Sequence, residues 1–214
     1  MLDPSITNLW LAQALWHMGA VEFGDFTLGR STVHSPIYIN PRLLVSEPML
    51  LRRAAALIEQ ETRSGQAMRH PRCAPFDLVA GVPYGGLHLA TAFSLNTNVP
   101  MIYARRPEPG RDKPVIEGRY SPGQTVLIID DLITTGGSVI ETAELLRSAG
   151  LVVKDAIVLV DREQGAAERL KRYGIRLISI LRLTVMLNHY LAEGLISREQ
   201  YDRCIAYLAA NRAA

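Results

Sequence analysis

Two adjacent carboxylates and a glycine-rich turn are the residues of this sequence best suited to chemistry. Asp130 and Asp131 follow the apolar run VLII, and the turn TTGGS comes shortly afterwards. Glycines let consecutive backbone N–H groups point into one concavity, and the start of a helix adds its dipole and nearby hydroxyl groups. The turn therefore predicts an anion site, most simply for a phosphate, formed by Thr134, Thr135, Gly136, Gly137 and Ser138.

The two carboxylates predict a different kind of ligand. They cannot bind the phosphate directly because like charges repel, but they suit hydroxyl groups, as on ribose, or a divalent cation. A structural turn capped by Asp and Thr is the alternative, and two acids directly before the turn favour the ligand site over it. A Walker-type kinase or ATPase is disfavoured because the sequence contains no G-x-x-x-x-G-K-[ST].

Apolar runs that alternate with helical patterns would position these residues. Near-continuous apolar strands between amphipathic helices predict an α/β fold with a mostly parallel sheet flanked by helices, whose strand carboxyl ends share one edge. Asp130 and Asp131 would lie at that edge. The predicted strands are Phe76–Val82, Val99–Ala104, Thr125–Asp130, Asp155–Asp161 and Ile175–Leu181.

Helices and short strands are predicted around this core. Residues 4–19 suit an amphipathic helix that ends at Gly19, whereas 21–45 suit short strands and loops. Ser46 is the expected N-cap of a helix that stops at Gly65. We expect one domain over 1–214, with an N-terminal helix and hood over about 1–45, an α/β core over 46–182 and C-terminal helices over 183–214. The other predicted helices are the one that follows PYGG, then 137–148, 165–173, 185–193 and 197–210.

Composition excludes several classes of protein. The 214 residues carry 23 Lys+Arg against 21 Asp+Glu, which is too balanced for a protein whose main partner is nucleic acid. No stretch approaches the ~20 apolar residues of a transmembrane helix, so no membrane partner is expected. The N-terminus does not resemble a signal peptide. The two cysteines lack metal-type spacing, and free thiols in a reducing cytoplasm are the expectation.

The segment IIDDLITTGGS resembles the ribose-phosphate signature of type I phosphoribosyltransferases, which use phosphoribosyl pyrophosphate (PRPP) and Mg²⁺. Over nearly its whole length, the chain is similar to the orotate phosphoribosyltransferase family. The further segments that carry this resemblance, in order, are FGDFTL (23–28), SPIYIN (35–40), GVPYGGLHLAT (81–91), VIEG (115–118), DAIVLVDREQG (155–165) and GIRLISIL (174–181).

The resemblance implies a role for each matching residue. Asp130 and Asp131 would contact the ribose hydroxyls, the TTGGS turn would hold the 5′-phosphate, and Thr134 would also lie near the base. Arg162 would pair with the orotate carboxylate, although an arginine after a strand is, on its own, more often a surface ion-pair partner. Tyr84 and Gly85 would belong to the pyrophosphate loop, and Tyr38 and Ile39 would lie near the base. From its spacing alone, Tyr38 is interpreted equally well as a core residue.

The implied reaction displaces pyrophosphate from C1 of the ribose by a ring nitrogen of orotate and gives orotidine 5′-monophosphate in pyrimidine biosynthesis. Mg²⁺ would be held mainly by PRPP, with no dedicated protein metal site. The resemblance further implies a cytoplasmic homodimer whose loop reaches into the neighbouring site.

Two segments depart from the family pattern. In the loop 104–118, Arg105 and Arg106 match positions that bind PRPP, but the main catalytic lysine has no clear counterpart. Arg111 and Lys113 are the candidates to replace it, unless this is only a solvated charged loop. Near the N-terminus, Arg30 is the candidate to replace a family lysine near the base. These departures leave two alternatives open: transfer to another base, or a non-catalytic PRPP or nucleotide sensor.

Overall fold

The computed structural model describes residues 8–28, 32–105 and 115–211. Among these residues, six strands form one sheet in the order β5-β4-β3-β6-β7-β8, in which all neighbours are parallel except β4 and β5. Strands β1 and β2 form a separate antiparallel pair. The strands are β1 Val21–Leu28, β2 Thr32–Ile39, β3 Leu78–Gly81, β4 Met101–Arg105, β5 Val115–Glu117, β6 Thr125–Ile133, β7 Val152–Asp161 and β8 Arg176–Arg182.

Helices cover both faces of the sheet because its central strands are apolar on both faces. In β6, Leu127 and Ile129 pack into the core formed with the helices of one face, whereas Val126 and Ile128 pack into the core of the other. This is the burial expected of parallel strands. The helices are α1 Leu9–His17, α2 Pro48–Ala67, α3 Gly85–Thr97, α4 Gly137–Ser148, α5 Ala166–Arg172, α6 Leu183–Ala192 and α7 Arg198–Asn211, and a 3₁₀ turn spans Pro41–Ser46.

The β1–β2 pair, which we call the hood, is joined to the core by the C-terminal helices. Helix α7 packs against β2 and α6 packs against α1. The buried hydroxyl of Tyr190, on α6, donates a hydrogen bond to the Ala12 carbonyl at 2.7 Å. The predicted C-terminal helices therefore contact the hood, through α7, and the N-terminal helix, through α6.

Most predicted elements are present, and the differences have physical reasons. Gly65 does not end α2, which continues to Ala67; an added Cβ at Gly65 would lie 3.2 Å from the Cys73 Cβ, so this glycine permits close packing. Ser46 ends the 3₁₀ turn and is not the N-cap, because α2 begins at Pro48 after Glu47. The short strand β5 was not predicted.

Both cysteines are buried in the folded chain. Cys73 follows α2 and Cys204 lies on α7, and their exposed fractions are 0% and 1%. Burial raises the pKa of each thiol to about 11. Among the described residues, no helix combines the length and apolar character needed to cross a bilayer.

Candidate active site

A polar pocket of about 260 Å³ opens at the carboxyl ends of the central strands. Its walls come from the end of β2, the start of the 3₁₀ turn, the loop between β3 and α3, the end of β6, the turn before α4, and the residue after β7. The residues that line it are Tyr38, Ile39, Pro41, Arg42, Val82, Pro83, Tyr84, Gly85, Asp130, Asp131, Leu132, Thr134, Ser138 and Arg162. It lies at the sheet edge where open α/β folds bind ligands.

The two acids lie within the last residues of β6 and are held by the backbone. Asp130 Oδ1 accepts a hydrogen bond from the Asp131 N–H at 2.9 Å, and Asp131 Oδ1 accepts one from the Leu132 N–H at 2.9 Å. Burial raises the pKa of Asp130 well above its ordinary value, and the charge of Asp131 raises it further. Burial also raises the pKa of Asp131, while its hydrogen bond to Asp130 and the charge of Arg42 oppose that rise.

Glycines bring the β3–α3 loop against these acids. A Cβ placed on Gly85 would overlap the Asp131 carboxylate, and one placed on Gly86 would overlap the Ile129 carbonyl oxygen. Only glycine therefore lets the start of α3 pack this closely on β6. Tyr84 precedes these glycines and is 81% exposed, and no side chain caps the start of α3. Tyr84 and Gly85 are thus brought to the pocket together with the acids.

The TTGGS turn contains two glycines, and the structure around them differs. Gly136 has φ +80°, and a Cβ there would overlap the Leu170 side chain. Gly137 begins α4, is exposed, and has no atom within 4 Å of an added Cβ. Nothing among the described residues requires glycine at 137, so the open space above it is suited to a ligand that approaches the backbone closely.

Arg162 is the buried cation of the pocket. It follows β7 and is 2% exposed. Its Nη2 donates to Ser35 Oγ at 2.7 Å and to the Ile37 carbonyl at 3.3 Å, while its Nε has no partner among the described residues. Burial lowers the pKa of the guanidinium. A guanidinium in this environment, with a free donor, is suited to a planar anion such as a carboxylate.

Arg42 is a pocket residue that our sequence analysis missed. Its Nε donates to Asn40 Oδ1 at 3.0 Å and its Nη2 to the Tyr38 hydroxyl at 3.2 Å. The Tyr38 ring in turn packs against Phe26 at 5.6 Å between centroids. An arginine after Asn-Pro reads as an ordinary turn residue, and no local pattern indicates that the turn faces Asp131.

The structure brings together many, but not all, of the predicted site residues. Tyr38, Ile39, Tyr84, Gly85, Asp130, Asp131, Thr134, Ser138 and Arg162 line one pocket. Thr135, Gly136 and Gly137 belong to the same turn but do not line that pocket. Arg105 lines an adjoining pocket of about 490 Å³ with Tyr84 and Ser138, and its Nε contacts Glu117 Oε1 at 3.1 Å. Arg30, Arg106, Arg111 and Lys113 lie outside the described residues.

Comparisons with known proteins point to the same chemistry. Residues 45–179 match the model of the phosphoribosyl transferase domain. The chain is 38% identical over 209 residues to orotate phosphoribosyltransferase from Chlamydia caviae, covering 95% of this chain and 92% of that one. It is 38% identical over 202 residues to bovine (Bos taurus) uridine 5′-monophosphate synthase, covering 94% of this chain but only 40% of that longer protein.

Solved structures resemble the fold as a whole. The structure of Leishmania donovani UMP synthase superposes with a TM-score of 0.83 at 38% identity, covering 95% of this chain and 42% of that one. Orotate phosphoribosyltransferase from Aeropyrum pernix superposes with a TM-score of 0.70 at 36% identity, covering 84% of this chain and 98% of that one.

Proposed function

Because the chain belongs to the orotate phosphoribosyltransferase family and has its mostly parallel α/β fold, we propose that it is the enzyme that transfers the 5-phosphoribosyl group of PRPP to orotate. The products are orotidine 5′-monophosphate and pyrophosphate, and the reaction belongs to pyrimidine biosynthesis. The observation that carries this proposal is the buried guanidinium of Arg162 in a pocket that also contains an acid pair and an anion-type turn.

Arg162 supports orotate as the acceptor because a buried cation needs an anion. Its hydrogen-bond acceptors, Ser35 Oγ and the Ile37 carbonyl, are neutral, so no carboxylate of the described part of the chain neutralises its charge through a hydrogen bond. A ligand carboxylate in the pocket that Arg162 lines can pair with this charge. Uracil, which has no carboxylate, would leave that charge buried and unpaired. The base would then lie between Arg162 and the hood residues Tyr38 and Ile39.

The remaining walls suit PRPP. The open backbone at Gly137 and the hydroxyls of Thr134, Thr135 and Ser138 would hold the 5′-phosphate, and Asp130 and Asp131 would accept hydrogen bonds from the ribose hydroxyls. Tyr84 and Gly85 would face the pyrophosphate. In this arrangement, the reacting carbon would lie above the end of β6, between the base and the leaving group.

The reaction breaks the bond between C1 and the pyrophosphate oxygen and forms a bond between C1 and a ring nitrogen of orotate. The electron pair of the broken bond leaves on the pyrophosphate, the nitrogen supplies the new pair, and its proton passes to solvent. Positive charge grows on the ribose in the transition state, so the carboxylates below it stabilise that state electrostatically. The hood, whose strand β2 contributes Tyr38 and Ile39 to the pocket, would limit the access of water.

Mg²⁺ is part of this proposal as a companion of PRPP. Within the described residues, no three His, Cys, Asp or Glu side chains are grouped so that they could hold a metal ion. The donor set that is available, the carboxylates of Asp130 and Asp131, fits an ion that takes most of its ligands from phosphate oxygens. Bound in that way, the ion would neutralise charge on the leaving pyrophosphate.

A homodimer is also proposed, on the resemblance to the family. Arg105 at the edge of the adjoining pocket, together with Arg106, Arg111 and Lys113, would then serve the pyrophosphate of one of the two sites. Sedimentation of the purified chain at several concentrations tests this: a single species with the mass of one chain at all concentrations would contradict it.

The function is tested by measuring pyrophosphate release from PRPP with Mg²⁺ and a panel of bases. We expect release with orotate and little with uracil or purine bases. In Arg162→Gln, the KM for orotate should rise about tenfold to a hundredfold, because a charged hydrogen bond to the substrate is lost. The KM for PRPP should stay within about twofold, since this residue would not touch PRPP.

Arg162→Lys is the matched variant, which keeps the charge but not the planar pair of donors. An intermediate KM for orotate is expected.

Release with another base but not with orotate would reassign the acceptor. PRPP binding by a folded protein without turnover on any base would instead favour a non-catalytic sensor.

A further inference from the structure

We propose that Arg42 is a further catalytic residue of this site, and that its guanidinium binds the pyrophosphate of PRPP and stabilises the charge that develops as the C1–O bond breaks. The proposal rests on the function proposed above. It goes beyond that function because it assigns the leaving group to a cation on the 3₁₀ turn after the hood.

The position of Arg42 is set by neighbouring elements. The 3₁₀ turn that begins at Pro41 packs against both α3 and β6. Arg42 lines the same pocket as Tyr84 and Gly85, at the start of α3, and Asp131, at the end of β6. The Asp131 carboxylate is also where a Gly85 Cβ would lie. Arg42 therefore lines the pocket together with Asp131 and the start of α3, which are packed against each other.

The guanidinium is held in place without being neutralised. Asn40 Oδ1 and the Tyr38 hydroxyl accept its hydrogen bonds, at 3.0 and 3.2 Å, and both acceptors are uncharged. Asp131 attracts Arg42 electrostatically, but no ion pair between them is formed within 4.0 Å. Positioning by neutral groups lowers the cost of ordering the side chain and leaves its charge available to a ligand.

The charges of the pocket favour the leaving group as its partner. Among the described residues that line this pocket, the positively charged side chains are Arg42 and Arg162. Arg162 is buried against β2, at the end proposed for the base. Arg42 is exposed and lines the pocket with Tyr84 and Gly85, the residues proposed to face the pyrophosphate, where a polyanion would otherwise meet two carboxylates. A fixed cation there offsets that repulsion, which no neutral side chain could do.

The experiment compares three variants: Arg42→Gln, Arg42→Lys and the control Arg63→Gln. Arg63 lies on α2 and pairs with Glu59 at 2.8 Å, outside the pocket, so its replacement makes the same change in net charge. Steady-state kinetics are measured in both directions, with PRPP and orotate, and with orotidine 5′-monophosphate and pyrophosphate. Thermal unfolding of each variant checks the fold.

In Arg42→Gln, we expect the KM for pyrophosphate in the reverse direction to rise at least about tenfold and the forward kcat to fall by a similar factor, as expected for loss of a charge-assisted contact. The KM for orotate should remain within about twofold. Arg42→Lys should recover part of the loss, because it keeps the charge but not the paired donors. Arg63→Gln should match the parent protein.

Three outcomes would overturn the proposal. An unchanged KM for pyrophosphate in Arg42→Gln would show that the residue does not bind the leaving group. A raised KM for orotate alone would assign Arg42 to the base. An equal loss in Arg63→Gln would show a general effect of charge. Failure of the parent protein to release pyrophosphate with orotate is a separate result, and it would count against the proposed function.

Discussion

At Asp130, the proposed role in ribose binding uses a carboxylate whose charge the fold disfavours. Its carboxylate is 7% exposed and lies beside a second carboxylate, and burial with that neighbouring charge raises its pKa. A raised pKa means that the folded state binds the proton more tightly than the unfolded state. The ionised form is therefore penalised in the folded state. This penalty is complete above the raised pKa, begins to shrink as the pH falls through it, and is gone below the ordinary pKa of an unfolded aspartate.

We predict that Asp130→Asn is more stable than the parent protein at pH 8 but has little activity. The amide keeps an oxygen to accept the Asp131 N–H while removing the buried charge. Stability should rise by at least about 1 kcal/mol, or about 2–4 °C in Tm for a chain of this size. The gain should begin to shrink once the pH falls through the raised pKa of Asp130, and it should vanish toward the ordinary pKa of an aspartate.

Denaturant unfolding at pH 8 and at pH 5, with turnover measured on the same preparations, checks this prediction. Asp202→Asn is the control, because Asp202 is exposed and forms an ion pair with Arg198, one turn away on the same helix. A variant that is less stable than the parent protein at pH 8 would contradict the account of Asp130.

At this scale, sequence patterns identified the acids, the turn and Arg162 but could not identify Arg42. The acids and the turn have local signatures, since type and spacing carry their chemistry, whereas Arg162 is assigned only by the resemblance of the segment DREQG to the family. Arg42 acquires its position from a turn packed on two elements that follow it by 40 or more positions in the sequence. The burial of Arg162 likewise depends on Ser35, 127 positions away.

At the scale of elements, the two glycines of the TTGGS turn allow its contribution to packing to be measured separately from its proposed contribution to ligand binding. We predict that Gly136→Ala lowers Tm, because φ is +80° and the new methyl would overlap Leu170. Gly137→Ala should leave Tm within about 2 °C or raise it slightly, since alanine is the better helix former. Its KM for PRPP should nevertheless rise at least about tenfold, because the methyl occupies the space proposed for the phosphate.

Thermal unfolding and steady-state kinetics on the pair check this prediction. The two variants make the same chemical change at adjacent positions, so each is the control for the other. Normal PRPP kinetics in Gly137→Ala would place the 5′-phosphate elsewhere.

The two C-terminal helices offer a second matched pair. The Tyr190 hydroxyl donates to the Ala12 carbonyl and ties α6 to α1, whereas the buried Tyr207 hydroxyl on α7 has no partner among the described residues. We predict that Tyr190→Phe lowers the free energy of unfolding by about 1 kcal/mol, because a buried carbonyl loses its donor. Tyr207→Phe should leave stability unchanged or increase it. Denaturant unfolding distinguishes them, and equal losses would contradict the contrast.

Element type was more predictable than element bounds. Apolar runs identified the main strands of the sheet, and α4 has the predicted bounds, 137–148. The predicted end of α2 at Gly65 was wrong, because the local sequence does not distinguish a glycine that permits close packing from one that ends a helix. Strand β5 has three residues and depends on pairing with β4, so its own sequence carries too little signal.

At the scale of the whole molecule, Arg162 lies where three parts of the fold meet. It follows the core strand β7, donates to the hood strand β2, and is electrostatically close to Cys204 and Tyr207 on α7. An anion bound to Arg162 would therefore stabilise contacts among all three. Binding of an anion at this residue should therefore raise the free energy of unfolding of the whole protein.

We predict that orotate and orotidine 5′-monophosphate raise Tm. At a ligand concentration of 100 Kd, the stabilisation is about 2.7 kcal/mol, or roughly 5–10 °C for a chain of this size. Uracil at the same concentration should give little shift, and Arg162→Gln should lose most of the response to orotate. Differential scanning calorimetry checks both. A shift with uracil as large as that with orotate would contradict recognition through the carboxylate.

The burial of the two thiols has a practical consequence. With a pKa of about 11, roughly one thiol in ten thousand is ionised at pH 7, and neither sulfur is accessible in the folded chain. Alkylating reagents should modify them only when the surrounding structure opens. The two cysteines are therefore natural probes, whose rates of modification report local opening of the native protein. The labelling rate of Cys73 would report opening at the junction between α2 and β3, and that of Cys204 would report the release of α7, which lies near Arg162. Comparing these rates with and without orotate would show whether substrate binding reduces local opening, without an engineered probe.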